Sequence, residues 1–168
     1  MLNLTINQAM EDDYPGLLDL NNLAVPNVNA IPTETLASLH SQSVYLGVAR
    51  TSTEIAGFLL ALPCTADYDS PNFQYFKRRY EAFAYIDRIV VDQRLRGRSI
   101  GATLYQDLNR MLGDVYPLLA CEVNLDPPNP GSLRCHQRLG FNSVGTQQTE
   151  GGTKRVTLLM KALSPYPS

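Results

Sequence analysis

Arg94, Arg96 and Arg98 crowd the segment VVDQRLRGRSIGATLYQDL, residues 90–108, directly ahead of an apolar helical pattern. A helix N-terminus already presents unpaired N–H groups and a partial positive charge, so added cations oppose it unless an anion is bound. Within RGRSIGA, Gly97, Ser99, Gly101 and Ala102 are small, which lets backbone donors approach phosphate oxygens while arginine adds charge-assisted contacts. This pattern suits capture of a polyanion. A P-loop would need G-x-x-x-x-G-K-[ST] and a dinucleotide fingerprint G-x-G-x-x-G, and neither is present. The competing reading is a tight strand-to-helix turn with solvated arginines.

Two carboxylates sit where charge is costly. Asp87 interrupts the strand pattern AFAYIDRIVV (82–91) and Glu122 interrupts YPLLACEVNL (116–125), both otherwise apolar. Either could serve as a general base, taking a proton from an ammonium directly or through water. A buried Glu122–Arg88 ion pair is the structural alternative. His136, in NPGSLRCHQRLGF, belongs to the residue type that titrates near neutrality and could donate a proton, although a packed helical histidine has the same appearance. His40 has no motif around it and reads as structural. Cys121 and Cys135 lack an evident activating partner, which argues against a cysteine nucleophile.

These residues must be held by a fold, and the chain has the length for one. Its 168 residues can bury a core without disulfide or metal support. A net charge of −2 argues against nucleic-acid binding, whose footprint is a basic excess. The longest apolar run, IAGFLLAL at 55–62, is too short to span a bilayer. No secretory signal is visible at the start, and three cysteines without C-x-x-C spacing fit neither a disulfide framework nor a zinc site. The expected setting is a reducing cytoplasm.

Alternation and helical stripes give the order βααβββαβαββ: a strand at 4–9, helices opening near Pro15 and Thr33, and a hairpin of 43–50 with 54–63. The strand 82–91 belongs mid-sheet. A helix from Ser99 to near Gly113 follows, then the strand 116–125, a helix closed by Gly140, and two strands around EGG. Residues 64–85 have no clean period and read as partly loop. The fold class is α/β, a mixed sheet covered on both faces.

The segment IVVDQRLRGRSIGATLYQDL resembles the acetyl-CoA signature of the Gcn5-related N-acetyltransferase (GNAT) superfamily, an R/Q-x-x-G-x-G/A loop after a valine-rich strand, with Arg96, Ser99 and Gly101 in its fixed places. Ser99 stands where glycine is commonest. Downstream, NPGSLRCHQRLGF is similar to the N-x-x-[AS]-x-x-x-Y-x-x-x-GF segment of the same superfamily; Asn129, Ser132, Gly140 and Phe141 match, and His136 replaces the tyrosine. The resemblance implies one GNAT-like domain over residues 3–162 with a short tail, 163–168. It also implies a mixed, mostly antiparallel sheet of six to seven strands and about four helices.

It implies acetyl-CoA as co-substrate. The backbone of Ile89, Val90 and Val91 would pair with the pantetheine arm, and Arg96, Gly97, Arg98, Ser99, Ile100, Gly101 and Ala102 would cradle the pyrophosphate. Asn129 and Ser132 would contact the pantetheine or thioester end, and His136 would stand in for the tyrosine that protonates the departing thiolate. Direct attack by the amine is preferred to an acyl-enzyme.

For the acceptor, half of the fourteen aromatic residues fall between Tyr68 and Tyr85. An aromatic-walled pocket, with Asp67 and Asp69 attracting a cationic amine, competes with plain core packing. Lys77, Arg78 and Arg79 would instead favour an acceptor with a carboxylate. The leading expectation is an N-acetyltransferase for a small amine or amino-acid-like acceptor. A protein N-terminal or lysine acetyltransferase is the runner-up, and a non-catalytic acyl-CoA-binding module is the reading from another class. The family often forms homodimers, and the sequence shows no self-complementary patch.

Overall fold

The computed structural model describes residues 2–163, and the expected tail beyond Leu163 lies outside the described residues. Seven strands form one sheet: β1 (Thr5–Gln8), β2 (Tyr45–Arg50), β3 (Ile55–Pro63), β4 (Ala84–Val91), β5 (Leu118–Asp126), β6 (Asn142–Thr149) and β7 (Lys154–Ala162). Their spatial order is β1-β2-β3-β4-β5-β7-β6. Every neighbouring pair is antiparallel except β4–β5.

Five helices cover the sheet: α1 (Tyr14–Leu23), α2 (Thr33–Gln42), α3 (Pro71–Lys77), α4 (Ile100–Leu112) and α5 (Pro130–Arg138). Of these, α3 is absent from the sequence-derived order. It occupies the stretch read as partly loop, where Phe73 and Phe76 bury on one side of a short helix opened by Pro71. Pro15 likewise sits in the first turn of α1, where its missing N–H costs nothing. Gly140 takes a φ of +96° just past α5, the left-handed stop that a side chain disfavours.

Two cores result from the strand alternation. On β3, Phe58, Leu60 and Leu62 face α1, α2 and α3, while Leu59 and Ala61 face α4. The buried stripe of α4, Ile100, Leu104, Tyr105, Leu108 and Leu112, follows the helical period and fills the second core.

Two irregularities matter. Pairing of β3 with β4 shifts between Leu60 and Ala61, so that Leu60 faces Arg88 and Ala61 faces Ile86, leaving Asp87 as the extra residue of a β-bulge. A second bulge, at the β6 edge, falls between Ser143 and Gly145, where the Tyr75 hydroxyl of α3 donates to the Val144 carbonyl at 3.2 Å.

Gly57 of β3 lies flat against β4, where an added Cβ would come within 2.7 Å of the Val90 carbonyl oxygen and 3.3 Å of Val91 Cα. Backbone cannot yield as a side-chain tip can. Gly57→Ala is therefore expected to cost about 1–3 kcal/mol, lowering the thermal midpoint by at least ~2 °C in a melting experiment.

Candidate active site

The parallel pair β4–β5 is in register only at Ala84 with Leu119 and Tyr85 with Ala120. Beyond these residues the two strands diverge, and the β5-facing backbone edge of β4 from Ile86 onward has no sheet partner among the described residues. The gap opens into a cleft of about 970 Å³. Its walls include Ile89, Val90 and Val91, the turn from Arg96 to Ala102 apart from Arg98, and, across the gap, Asn129, Ser132 and His136. Asp87 and Glu122 also line it, so the sequence-derived candidates converge on one site, with Arg98 beside it on the same turn.

The turn into α4 is built for close approach. Gly97 and Ser99 both hold left-handed backbone, φ +76° and +60°. Such a conformation explains why glycine would be favoured at 99; serine adopts it at a cost of about 1–2 kcal/mol. The open space around Gly97 contains no atom within 4 Å of a Cβ placed there. The Ser99 side chain makes no capping bond, which leaves the first N–H groups of α4 open.

The three arginines divide. Arg94 folds back on Asp92, at 2.6 Å, and on Glu54, at 2.7 Å, so it is spent on protein carboxylates. Among the described residues neither Arg96 nor Arg98 has an ion-pair partner. An anion at the α4 N-terminus would meet two available guanidinium groups and several free N–H donors.

At the deeper end stand the carboxylates. Arg88 pairs with Asp87, Nε to Oδ2 at 2.7 Å, rather than with Glu122 as the sequence alternative had it. The β4 bulge is the reason, because it sets Asp87 and Arg88 on the same face of the strand, toward α1 and α3. Asp87 also accepts a 2.6 Å bond from the Tyr68 hydroxyl. Glu122 accepts a 2.5 Å bond from the Tyr85 hydroxyl and another from Asn72. Burial in the cleft pushes the Glu122 carboxyl up to about 7, reinforced by the Asp87 charge and opposed by the two donors and Arg88. Asp87, with a cation and a hydroxyl on it, and Glu122, without a cation of its own, are thus unequal.

His136 is buried, with both ring nitrogens engaged. Nδ1 lies 2.8 Å from the Ser132 carbonyl oxygen, an acceptor, which assigns the ring proton to Nδ1. Nε2 then accepts from the Tyr105 hydroxyl at 2.8 Å. Burial lowers the imidazole pKa, so the ring is neutral at pH 7. Asn129 caps α5, its side-chain oxygen accepting the Ser132 N–H at 3.3 Å. His40 is bonded to Tyr14 at 2.6 Å, away from the cleft walls, a structural role as expected.

The aromatic stretch is mostly core. Phe73, Phe76, Phe83 and Tyr85 are fully buried around one another, and of the seven aromatics Tyr68 alone lines the cleft. Asp69 reaches the walls and Asp67 does not. Lys77 lies over the Phe73 ring and Arg79 over the Tyr75 ring, outside the cleft, so the basic run has no place at the acceptor end. Sequence reasoning missed Tyr105, which in the α4 stripe looks like any apolar contact, and two asparagines without a motif, Asn72 in the first turn of α3 and Asn29 in the loop between α1 and α2. The hydroxyl of Tyr105 within an otherwise aliphatic stripe was the available signal.

The raised Glu122 pKa has a stability consequence with a definite sign. Unfolded, the carboxyl ionises near its ordinary 4.5, whereas folded it keeps its proton to about 7. Between those values the folded state binds more protons, so this group makes the protein less stable as pH rises from 5 to 7. Glu122→Gln is expected to leave the melting temperature almost unchanged at pH 4 and to raise it above wild type at pH 8, measured by thermal denaturation.

Comparison with known proteins accords with this geometry. The model of the acetyltransferase (GNAT) family matches residues 8–141. No curated protein sequence matches the chain. Among solved structures, the chain is similar in fold to the ribosomal-protein-S18-alanine N-acetyltransferase of Escherichia coli, with TM-score 0.73, 16% identity, and coverage of 99% of this chain and 97% of that one. It is similar to Ard1 of Thermoplasma volcanium, with TM-score 0.77, 14% identity, and coverage of 95% and 97%. It is also similar to yncA of Salmonella typhimurium, solved with its cofactor acetyl-CoA, at TM-score 0.73, 15% identity, and coverage of 99% and 97%. A family match over most of the length, together with these likenesses of fold, shows that the chain belongs to the GNAT family of acetyltransferases, enzymes that use acetyl-CoA.

Proposed function

We propose that the protein acetylates the amine of a small-molecule acceptor by direct attack on acetyl-CoA, with Glu122 as general base. The observation that carries this reading is a carboxyl poised near neutrality at the inner end of the cleft whose outer end is the α4 anion cradle. A base whose pKa lies near the working pH is the one best matched to an ammonium proton.

The chain's own groups fit the co-substrate. Ile89, Val90 and Val91 offer an unpaired strand edge to its extended arm, the donors from Arg96 to Ala102 suit its pyrophosphate, and Asn129 and Ser132 stand at the end expected to carry the thioester. When bound, acetyl-CoA supplies the activated acetyl group. Glu122 takes the acceptor's proton, and Asp87 holds Glu122 basic by its charge. The departing thiolate is assigned its proton from the Tyr105 hydroxyl, which lines the cleft, and His136, neutral and accepting from that hydroxyl through Nε2, is assigned to position it.

For the acceptor, Ala24, Asn27, Val28 and Asn29 and the start of α3 wall the inner end, which suits a compact molecule better than a long segment of chain. The basic run is elsewhere, Arg88 is committed to Asp87, Asn21 and Asn29, and Lys154 on the cleft wall is held by the Pro26 carbonyl and Glu150, so an amine without a carboxylate fits better than an amino acid. The likeness to the Escherichia coli ribosomal-protein-S18-alanine N-acetyltransferase supports a protein acceptor as the second reading.

Saturating acetyl-CoA is expected to raise the melting temperature by mass action; no shift would remove the cofactor reading. Thiol release should then be screened over primary amines, amino acids and peptides with free N-termini. Turnover confined to peptides would replace the small-molecule acceptor with a protein one. Glu122→Gln is expected to lower kcat/KM by about 10²–10⁴-fold while keeping the acetyl-CoA thermal shift. His136→Phe is expected to lower kcat by about tenfold or more, and full turnover from pH 6 to 9 would exclude His136 from the chemistry.

A further inference from the structure

Arg88 is 5% exposed, yet it is an arginine in the central strand of the sheet. Its guanidinium is divided between two structures. Nε binds Asp87 at 2.7 Å; Nη1 donates to the Asn21 side-chain oxygen at 2.9 Å and the Asn29 carbonyl at 3.2 Å; Nη2 donates to the Asn29 side-chain oxygen at 3.0 Å. Asn21 completes a ring by donating its own Nδ2 to the Asn29 carbonyl at 2.9 Å. A second tether holds the same connection from the opposite wall, since Pro26 O accepts from Lys154 Nζ at 3.3 Å and from Asn124 Nδ2 at 3.4 Å. The segment so held, residues 24–31, joins α1 to α2 and carries no regular structure of its own. Ala24, Asn27, Val28 and Asn29 line the cleft beside Asp87 and Glu122.

A buried guanidinium whose hydrogen bonds go to one carboxylate, to Asn21 near the end of α1 and to the loop that follows it is an expensive way to fix that connection, unless the loop's distance from that carboxylate matters. An aliphatic residue at 88 would serve the core more cheaply. Building on the enzyme reading above, we propose that Arg88 is a positioning residue. It registers the acceptor wall of residues 24–31 to the Asp87–Glu122 pair, so that the width of the acceptor end is set from β4. Its planar fork is what makes this possible, because one lysine ammonium cannot span Asp87, Asn21 and Asn29 together.

The proposal separates three variants. Asn29→Ala, at an exposed position, removes one Arg88 acceptor and leaves the Asp87 pair. Arg88→Lys keeps a cation beside Asp87 and loses the fork. Arg88→Met loses both. The two readouts are amide hydrogen exchange and a carbon-13 NMR titration of Glu122, neither of which requires a known acceptor. Groups facing Glu122 include Tyr85, Asn72, Asp87, Arg88, Tyr68, Tyr105 and the adjacent Cys121, and of these the variants change only Arg88.

Exchange across residues 24–31 is expected to rise at least tenfold in all three, with β4 and α4 unchanged. The Glu122 titration should stay in place for Asn29→Ala and Arg88→Lys and move to higher pH for Arg88→Met. If Arg88→Met does not fold, the first two variants carry the test. Unchanged loop exchange in Asn29→Ala and Arg88→Lys would overturn the proposal, as would loosening of the whole sheet to the same degree as the loop. Failure of the enzyme reading is told apart by wild-type protein, which would then show no thiol release while the loop exchange still responded.

Discussion

The site rests on the failure of two parallel strands to stay together. Strands β4 and β5 pair at two positions and then separate, although both are central, apolar and long enough to continue. A parted pair exposes backbone donors and acceptors in the middle of a sheet, a cost that buried backbone ordinarily avoids. The gap lets a long ligand reach strand edge, helix N-terminus and buried carboxylate at once. The helices follow from it, α4 leaving from the end of β4 and α5 from the end of β5, so that their N-termini flank the gap.

Charge in the cleft is sorted by partner. Of the Asp, Glu and Arg residues of β4 and β5 that line it, Asp87 and Arg88 neutralise each other. Glu122 is left with hydroxyl and amide donors only. A bond from a neutral donor steadies a carboxylate less than a guanidinium does, so desolvation prevails and the proton stays on until near neutrality. The asymmetry between Asp87 and Glu122 is therefore a matter of which one the β4 bulge brought next to Arg88.

That bulge also marks the limit of what a sequence discloses. Strand and helix positions were legible because alternation and helical spacing were strong, as in Phe58 to Leu62 and Ile100 to Leu112. The glycine-rich turn was legible because left-handed backbone and helix ends restrict residue choice. Helix α3 was not, since its seven residues hold only two buried rings within a run of aromatics that belong to several layers. Nor was the Asp87–Arg88 pair, because adjacent strand residues normally point to opposite faces and the exception arises in the register between β3 and β4. The Tyr105 partner of His136 depended on where the fold sets α4 relative to α5, which no local pattern encodes.

The outer strand β6 offers one more consequence. A sheet that ends in an eight-residue strand exposes a row of backbone groups on which another chain could add. Here the ladder is broken by the bulge at Val144, and Tyr75 occupies the Val144 carbonyl from α3. At the far side β1 has only four residues. Short length on one edge and a capped irregularity on the other leave no straight template for strand addition, so the sheet is guarded against self-assembly into fibrils by its own borders.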